Sequence, residues 1–339
     1  MKKILSKFTG NNFLLLITVV LFFVMYTIGL LVFSDKNFGR VQVFFNLFIS
    51  NAGLIVASAG MTMVLITGGI DISIGSVIGC VCMMLAVMME KQNVSVPVAI
   101  LLVLLFGIVF GFVQGFLVAY LKIQPFIVTL AGMFFARGLT AVISSEMISI
   151  SNKTFLAMAN AKIYLPFGGY LNKKGEMIMP YIFPSVILAL VLLAFVFIML
   201  RYTKFGRNIY AVGGSEQSAL LMGLNVRRIK LQVYVLNGFI ASIAGFVFCL
   251  NSTSGFVEQA RGFEMEAIAS SVIGGTLLTG GVGNVLGSLV GVLIKGTIET
   301  FITFQGTLSS WWTRIVIAAL LCFFIVLQSL LTSMRKKKL

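Results

Sequence analysis

The chain has no histidine at all. That removes the commonest metal ligand and the commonest general base. Charge is also scarce: 10% of the 339 residues are charged, against about 25% in soluble domains. The four cysteines, Cys80, Cys82, Cys249 and Cys322, all lie inside apolar runs and are expected to be small buried residues. Cys80 and Cys82, two apart, point to different sides of a helix. Neither a disulfide framework nor a metal site follows. No G-x-x-x-x-G-K-[ST] occurs, so the chain does not bind ATP through a P-loop. There is also no G-x-S-x-G, H-E-x-x-H or C-x-x-C. No catalytic set, metal or cofactor is implied.

What fills the chain instead is apolar sequence, 59% of it. Ten runs are each candidate spans: 12–33, 43–66, 74–89, 97–120, 126–144, 181–200, 231–252, 266–280, 285–303 and 312–332. About 20 apolar residues suffice for a helix to cross a bilayer. A β-barrel would need alternating segments of about ten residues instead. The reading is an all-α polytopic membrane protein of about ten helices, a single transmembrane domain over residues 1–339. The net charge of +15 does not indicate nucleic acid, because the basic residues sit at the ends of apolar segments. Such placement is the positive-inside pattern. Lys2, Lys3 and Lys7 at one end, and Arg335, Lys336, Lys337 and Lys338 at the other, place both termini in the cytoplasm. The apolar stretch from Phe13 to Phe33 is too long for a signal peptide and has no small-x-small site after it, so it reads as a retained first span. Two loops are long: an outer one, 146–180, and an inner one, 201–230.

An internal repeat joins two distant parts of the chain. The stretch from Thr67 to Gly79 aligns with that from Thr279 to Gly291 at a constant offset of 212, with six of thirteen positions identical. Two related halves follow, and transporters place substrate sites where such halves meet at glycine-broken helices. In the first copy, Gly68, Gly69 and Gly75 weaken the helix, and Asp71 lies between two apolar spans. An acidic group at membrane depth is costly and faces protein, water or a partner. Two readings stay open: Asp71 lines or gates a pathway, or Asp71-Ile72-Ser73 caps the third span in a tight cytoplasmic turn.

Other patterns add detail. Asn51, Ser58 and Thr62 fall on one face of the second span, with Asn46 extending it outward. Such a stripe suits a sugar-sized polar solute, or hydrogen-bonds neighbouring helices. Gly107, Gly111 and Gly115 form a GxxxGxxxG run, and Gly287 and Gly291 repeat the spacing; small residues let helix backbones touch. Lys295 and Glu299, four apart, can pair along a helix. Arg137 lies beside Thr129, Gly132, Ala136 and Thr140. These charges either touch substrate or are absorbed locally, Lys295 by Glu299 and Arg137 by free carbonyls. In the inner loop, Ser215 is a candidate N-cap for a short helix over 216–222, and Gly223 would end it. A short helix between basic clusters is a docking element for a cytoplasmic partner, or an interfacial amphipathic helix.

Three stretches together resemble one family. Gly60-Met61-Thr62 with Thr67-Gly68-Gly69-Ile70-Asp71-Ile72-Ser73-Ile74-Gly75-Ser76 resembles a signature of monosaccharide ABC importer permeases of the ribose type, the inner-membrane components of binding-protein-dependent transport systems. Phe205 to Gly214, followed by Ala219 and Gly223, is similar to that family's cytoplasmic coupling loop. Ser271-Val272-Ile273-Gly274-Gly275-Thr276 with Gly280, Gly281 and Gly283 resembles its third marker. The resemblance implies a multi-pass permease of the bacterial inner membrane, paired with a second permease subunit. An ABC ATPase would dock on residues 215–224, where Gly213, Ser215, Glu216, Ala219 and Gly223 are the coupling candidates. A periplasmic sugar-binding protein would deliver substrate. Asn51, Ser58, Thr62, Gly68, Gly69, Asp71, Ser73 and Thr276 are the pathway and gating candidates. The stretch 306–313 most resembles a galactofuranose-system permease, and Ser218 stands where many members have alanine. The rival reading is an ion-coupled secondary transporter with Asp71 and the Lys295–Glu299 pair as coupling groups.

Overall fold

The computed structural model describes residues 10–171, 176–307, 309 and 311–336. Its long helices are α1 (Gly10–Val32), α2 (Val41–Ile66), α3 (Ile74–Glu90), α4 (Val96–Ala119), α5 (Pro125–Ile143), α7 (Pro184–Tyr202), α10 (Val226–Ser252), α12 (Val285–Gln305) and α13 (Trp311–Lys336). Shorter ones are α6 (Lys153–Asn160), α8 (Lys204–Gly214), α9 (Glu216–Leu221) and α11 (Phe263–Ile273). Among the described residues seven helices are long and apolar enough to cross a membrane: α1, α2, α4, α5, α7, α10 and α12. Helix α3 and the Trp311–Leu327 part of α13 are shorter apolar helices. The protein is a polytopic helical membrane protein.

Burial sorts the helices. α2 is central, buried on nearly every face from Asn51 to Ile66, and packs on α10, α12, α7 and α11. α4 is two-faced. Leu101, Leu105, Val109, Phe112 and Phe116, three or four residues apart, are exposed and form its lipid side. Gly107, Gly111 and Gly115 meet α10 on the other side. A Cβ on Gly107 would strike Ser242 and Gly238, and one on Gly111 would strike the Tyr234 carbonyl. The close-packing reading of the GxxxGxxxG run therefore holds: glycine lets two backbones meet where lipid supplies no hydrophobic drive.

Three features depart from the sequence reading. The eighth span, expected over 266–280, is only the eleven-residue α11, which ends at Gly274. Gly275, Gly280 and Gly281 all have positive φ, a conformation a helix cannot continue through. The inner loop holds two helices rather than one. α8 has Thr203 at its N-cap, accepting from the Gly206 amide, and buries Ile209 and Val212; α9 follows it. Cys322 is exposed, whereas Cys80, Cys82 and Cys249 are buried.

The outer loop lies on the surface but is anchored. β1 (Ile148–Ser149) pairs antiparallel with β6 (Ser254–Gly255). Asn152 caps α6, whose Phe155 is fully buried. Glu90, at the end of α3, accepts from the amides of Ser151 and Asn152 at 2.8 and 2.9 Å. Between them, β2 (Ile163–Tyr164) pairs with β5 (Tyr181–Ile182), and β3 (Tyr170–Leu171) with β4 (Met177–Ile178).

Candidate functional site

The two copies of the repeat meet. The amide of Gly281 donates to the carbonyl of Ile66 at 2.8 Å. Gly68 and Gly280, equivalent positions of the repeat, both have positive φ, 76° and 86°, and lie against each other. The C-terminus of α8 is pressed into the same point. A Cβ on Gly213 would collide with the Ile66 carbonyl, and one on Gly281 would come within 2.8 Å of the Gly214 Cα. Three glycine segments thus cross where no side chain fits. Nearby, Tyr210 on α8 donates to the Gly283 carbonyl at 2.8 Å. Burial pushes the Tyr210 phenol above its usual range.

Helix α9 leaves this crossing directly. Ser215 caps it, accepting from the Ser218 amide at 3.2 Å, and Gly223 has a φ of +79° just beyond its end. The expected short helix over 216–222 is thus present over Glu216–Leu221. Ala219 is buried, and Glu216 pairs with Lys230 of α10 at 2.6 Å. Leu220, Leu221 and Met222 are exposed, Leu221 by 90%. Three adjacent apolar side chains are thus turned outward beside charged residues.

Asp71 sits next to the crossing and is 3% exposed. Its Oδ1 accepts from the Ser73 amide at 2.8 Å and the Ser73 hydroxyl at 2.6 Å. Its Oδ2 accepts from Asn237 Nδ2 on α10 at 2.6 Å. Gln114 of α4 donates to Ser73 at 2.9 Å, and Tyr234 donates to the Ile70 carbonyl. The carboxylate therefore closes a turn at the start of α3 and ties it to α4 and α10. Sequence spacing holds no trace of Asn237, because it lies 166 positions away.

The polar stripe of α2 faces α11 and α12. Thr62 shares a 2.6 Å hydrogen bond with Ser288 and donates to Ser271 at 3.2 Å. Ser58 and Thr276 are buried with hydroxyls that find no partner among the described residues. Of the stripe, Asn51 alone, with Asn46 further out, borders a cavity of about 680 Å³ between α2, α12 and α13. Lys295 reaches this wall, 8% exposed. It pairs with Glu299 at 2.6 Å and Glu266 at 3.3 Å, and donates to Asn51 Oδ1 at 3.1 Å. Sequence spacing gives the Glu299 partner; Glu266 and Asn51 come from other helices. A second cavity of about 880 Å³ continues past Glu266 and Glu299 to Trp311, Arg314 and Arg261. Hydroxyls, amides, carboxylates and an aromatic ring on one wall are what a polyhydroxylated solute can use. Arg137 lies elsewhere, donating to the Val257 and Gln259 carbonyls.

Known proteins place this architecture. Residues 43–325 match the family described as "Branched-chain amino acid transport system / permease component". The chain is 41% identical to the inner membrane ABC transporter permease protein YjfF of Escherichia coli over 95% of this chain and 93% of that protein. It is 35% identical to the fructose import permease protein FruG of Bifidobacterium longum over 92% and 89% of the two chains. It is 33% identical to the ribose import permease protein RbsC of Escherichia coli over 87% and 88%. No solved structure matches. The chain belongs to this permease family, and within it to the monosaccharide ABC permeases of the ribose type, whose members are transport subunits rather than enzymes.

Proposed function

We propose that the chain is the membrane-spanning permease of an ATP-binding-cassette importer that passes a monosaccharide, a pentose or hexose, from a periplasmic binding protein to the cytoplasm of a bacterium. The relatives named for ribose and fructose import support a sugar. Within that class the stretch 306–313 favours galactofuranose. The whole chain acts as one transmembrane domain of ten spans in two related halves: α3, α13, and α11 taken together with the non-helical 274–284 segment that follows it, complete the seven. Both termini lie in the cytoplasm with the 201–230 loop, and 146–180 faces outward toward the binding protein. A second permease subunit, identical or related, completes the pathway.

One observation carries this reading: the crossing of Ile66, Gly213 and Gly281. An ATPase seated on the exposed apolar residues of α9, with Gly213, Ser215, Glu216, Ala219 and Gly223 shaping that helix, would push α8 against both repeat loops at once. Gly68, Gly69, Asp71, Ser73 and Thr276 lie in or beside those loops. Movement there would be passed along α2, Thr62, Ser58 and Asn51, toward the outer cavity. Such a lever converts closure of a cytoplasmic motor into opening of a pathway, a rigid-element switch of the hinge or shear kind.

The test is a double substitution, Glu216→Ala with Gly223→Pro. Proline cannot adopt the +79° φ of Gly223, so the end of α9 must rearrange. The variant is expected to reach the membrane but to lose co-purification with the ATPase. Undiminished co-purification would refute the docking assignment.

A further inference from the structure

A third concavity lies apart from the sugar cavity and the docking helix. It is a groove of about 840 Å³ between α4, α7, α8 and the first half of α10. Its wall is apolar: Ile108 of α4, Phe195 and Met199 of α7, and Val235, Leu236 and Phe239 of α10. Its end is not. Arg228, Asn225, Asn208 and Gln232 gather there, from the middle of α8 and the cap and first two turns of α10. Arg228 is exposed and makes no ion pair among the described residues. Lys204, one turn before Asn208 on α8, is likewise exposed and without an ion pair among them.

The shape is that of an amphiphile. Arg228 and Phe239 are eleven residues apart on one helix, about 16 Å at 1.5 Å per residue. One leaflet of a bilayer core of about 30 Å is about 15 Å deep. The groove therefore runs the depth of one leaflet, with Arg228 at the headgroup level and Phe195 and Phe239 toward the midplane. Basic pockets between membrane helices on the cytoplasmic side are suited to anionic lipid headgroups. A zwitterionic lipid would bring an ammonium as well as a phosphate to this end, and among the described residues no carboxylate lines the groove to receive it.

We infer that this groove binds one anionic phospholipid, its phosphate on Arg228 with Lys204 beside it and an acyl chain along Ile108, Leu236 and Phe239. The occupant would bridge α10 to α8, the helix that carries Gly213. The inference requires only that α7 and α10 span the membrane, so it stands or falls independently of which sugar is carried and of the docking of an ATPase.

The experiment uses the full-length chain reconstituted in vesicles of equal parts phosphatidylglycerol and phosphatidylethanolamine. The chain is re-extracted in mild detergent, and the retained lipid is quantified by mass spectrometry. Wild type is expected to retain phosphatidylglycerol in excess over phosphatidylethanolamine. Arg228→Gln should lower that excess about five-fold, the effect of one basic residue near a lipid headgroup, and Arg228→Lys should keep most of it. Ile108→Trp fills the groove, leaves every charge in place, and should remove the retained lipid. Equal retention of the two lipids by wild type would overturn the inference, as would unchanged retention in both Arg228→Gln and Ile108→Trp. A Gln232→Cys chain that cross-links efficiently to a second copy in native membranes would assign the groove to a protein interface and overturn it too.

Discussion

The Gly281 amide donates to the Ile66 carbonyl across 2.8 Å, joining the loop after α11 to the end of α2, the two places where the repeat breaks its helices. Gly213 is wedged against the same carbonyl. The 201–230 loop therefore touches both copies of the repeat through backbone rather than through adjustable side chains.

Gly213→Ala follows from that contact. The added methyl meets a backbone oxygen that cannot rotate away, and overpacking of this kind costs about 1–3 kcal/mol. The variant is expected to insert into the membrane but to lose most energised uptake. Gly214→Ala is the control, since nothing lies within 4 Å of its added Cβ. Equal uptake by the two variants would remove Gly213 from the lever.

Asp71 separates a structural carboxylate from an ion-coupling one. Asn237 Oδ1 is buried without a partner among the described residues, so Asn237 can turn its amide over and accept from an asparagine at 71. Asp71→Asn is expected to transport nearly as well as wild type. Asp71→Ala strands Ser73 and Asn237 and should lower thermal stability by about 1–3 kcal/mol for each orphaned group. Complete loss of uptake in a stable Asp71→Asn protein would contradict this role.

Close packing gives a stability prediction. Gly111→Leu would force α4 away from the Tyr234 backbone and is expected to lower the melting temperature sharply or prevent folding. Gly138→Ala, with open space around its Cβ, should leave it unchanged. Similar melting temperatures for the two would show that α4 and α10 do not meet as closely as described.

Much of this was legible in the sequence where small residues recur. The GxxxGxxxG run, the Ser215 cap, the Gly223 stop and the Lys295–Glu299 pair are local patterns, and local spacing carries them. Asp71 was not legible in the same way: its turn partner Ser73 is two residues on, but Asn237 arrives from another helix. Glu266 and Asn51 reach Lys295 in the same non-local fashion. Helix α8 carries a local signal of the same kind, Thr203 as cap and Phe205, Ile209 and Val212 at helical spacing. The early end of the helix in the eighth span, at Ile273, was hidden for a different reason. Hydropathy does not register that Gly275, Gly280 and Gly281 take a backbone conformation that stops a helix.

The charge cluster in the outer cavity invites a double-mutant cycle. Lys295→Met leaves Glu266 and Glu299 facing each other without a cation and should reduce both stability and uptake. Adding Glu299→Gln should recover part of the loss, with a coupling energy of about 0.5–3 kcal/mol. Strict additivity would mean that the 2.6 Å pair contributes nothing measurable.

The most direct measurement of the account is solute uptake into vesicles that hold the permease with its cognate ATPase and receive the loaded sugar-binding protein outside. Uptake should require ATP on the motor side and persist when ionophores collapse every ion gradient. Uptake that ignores ATP and stops with the gradient would contradict it.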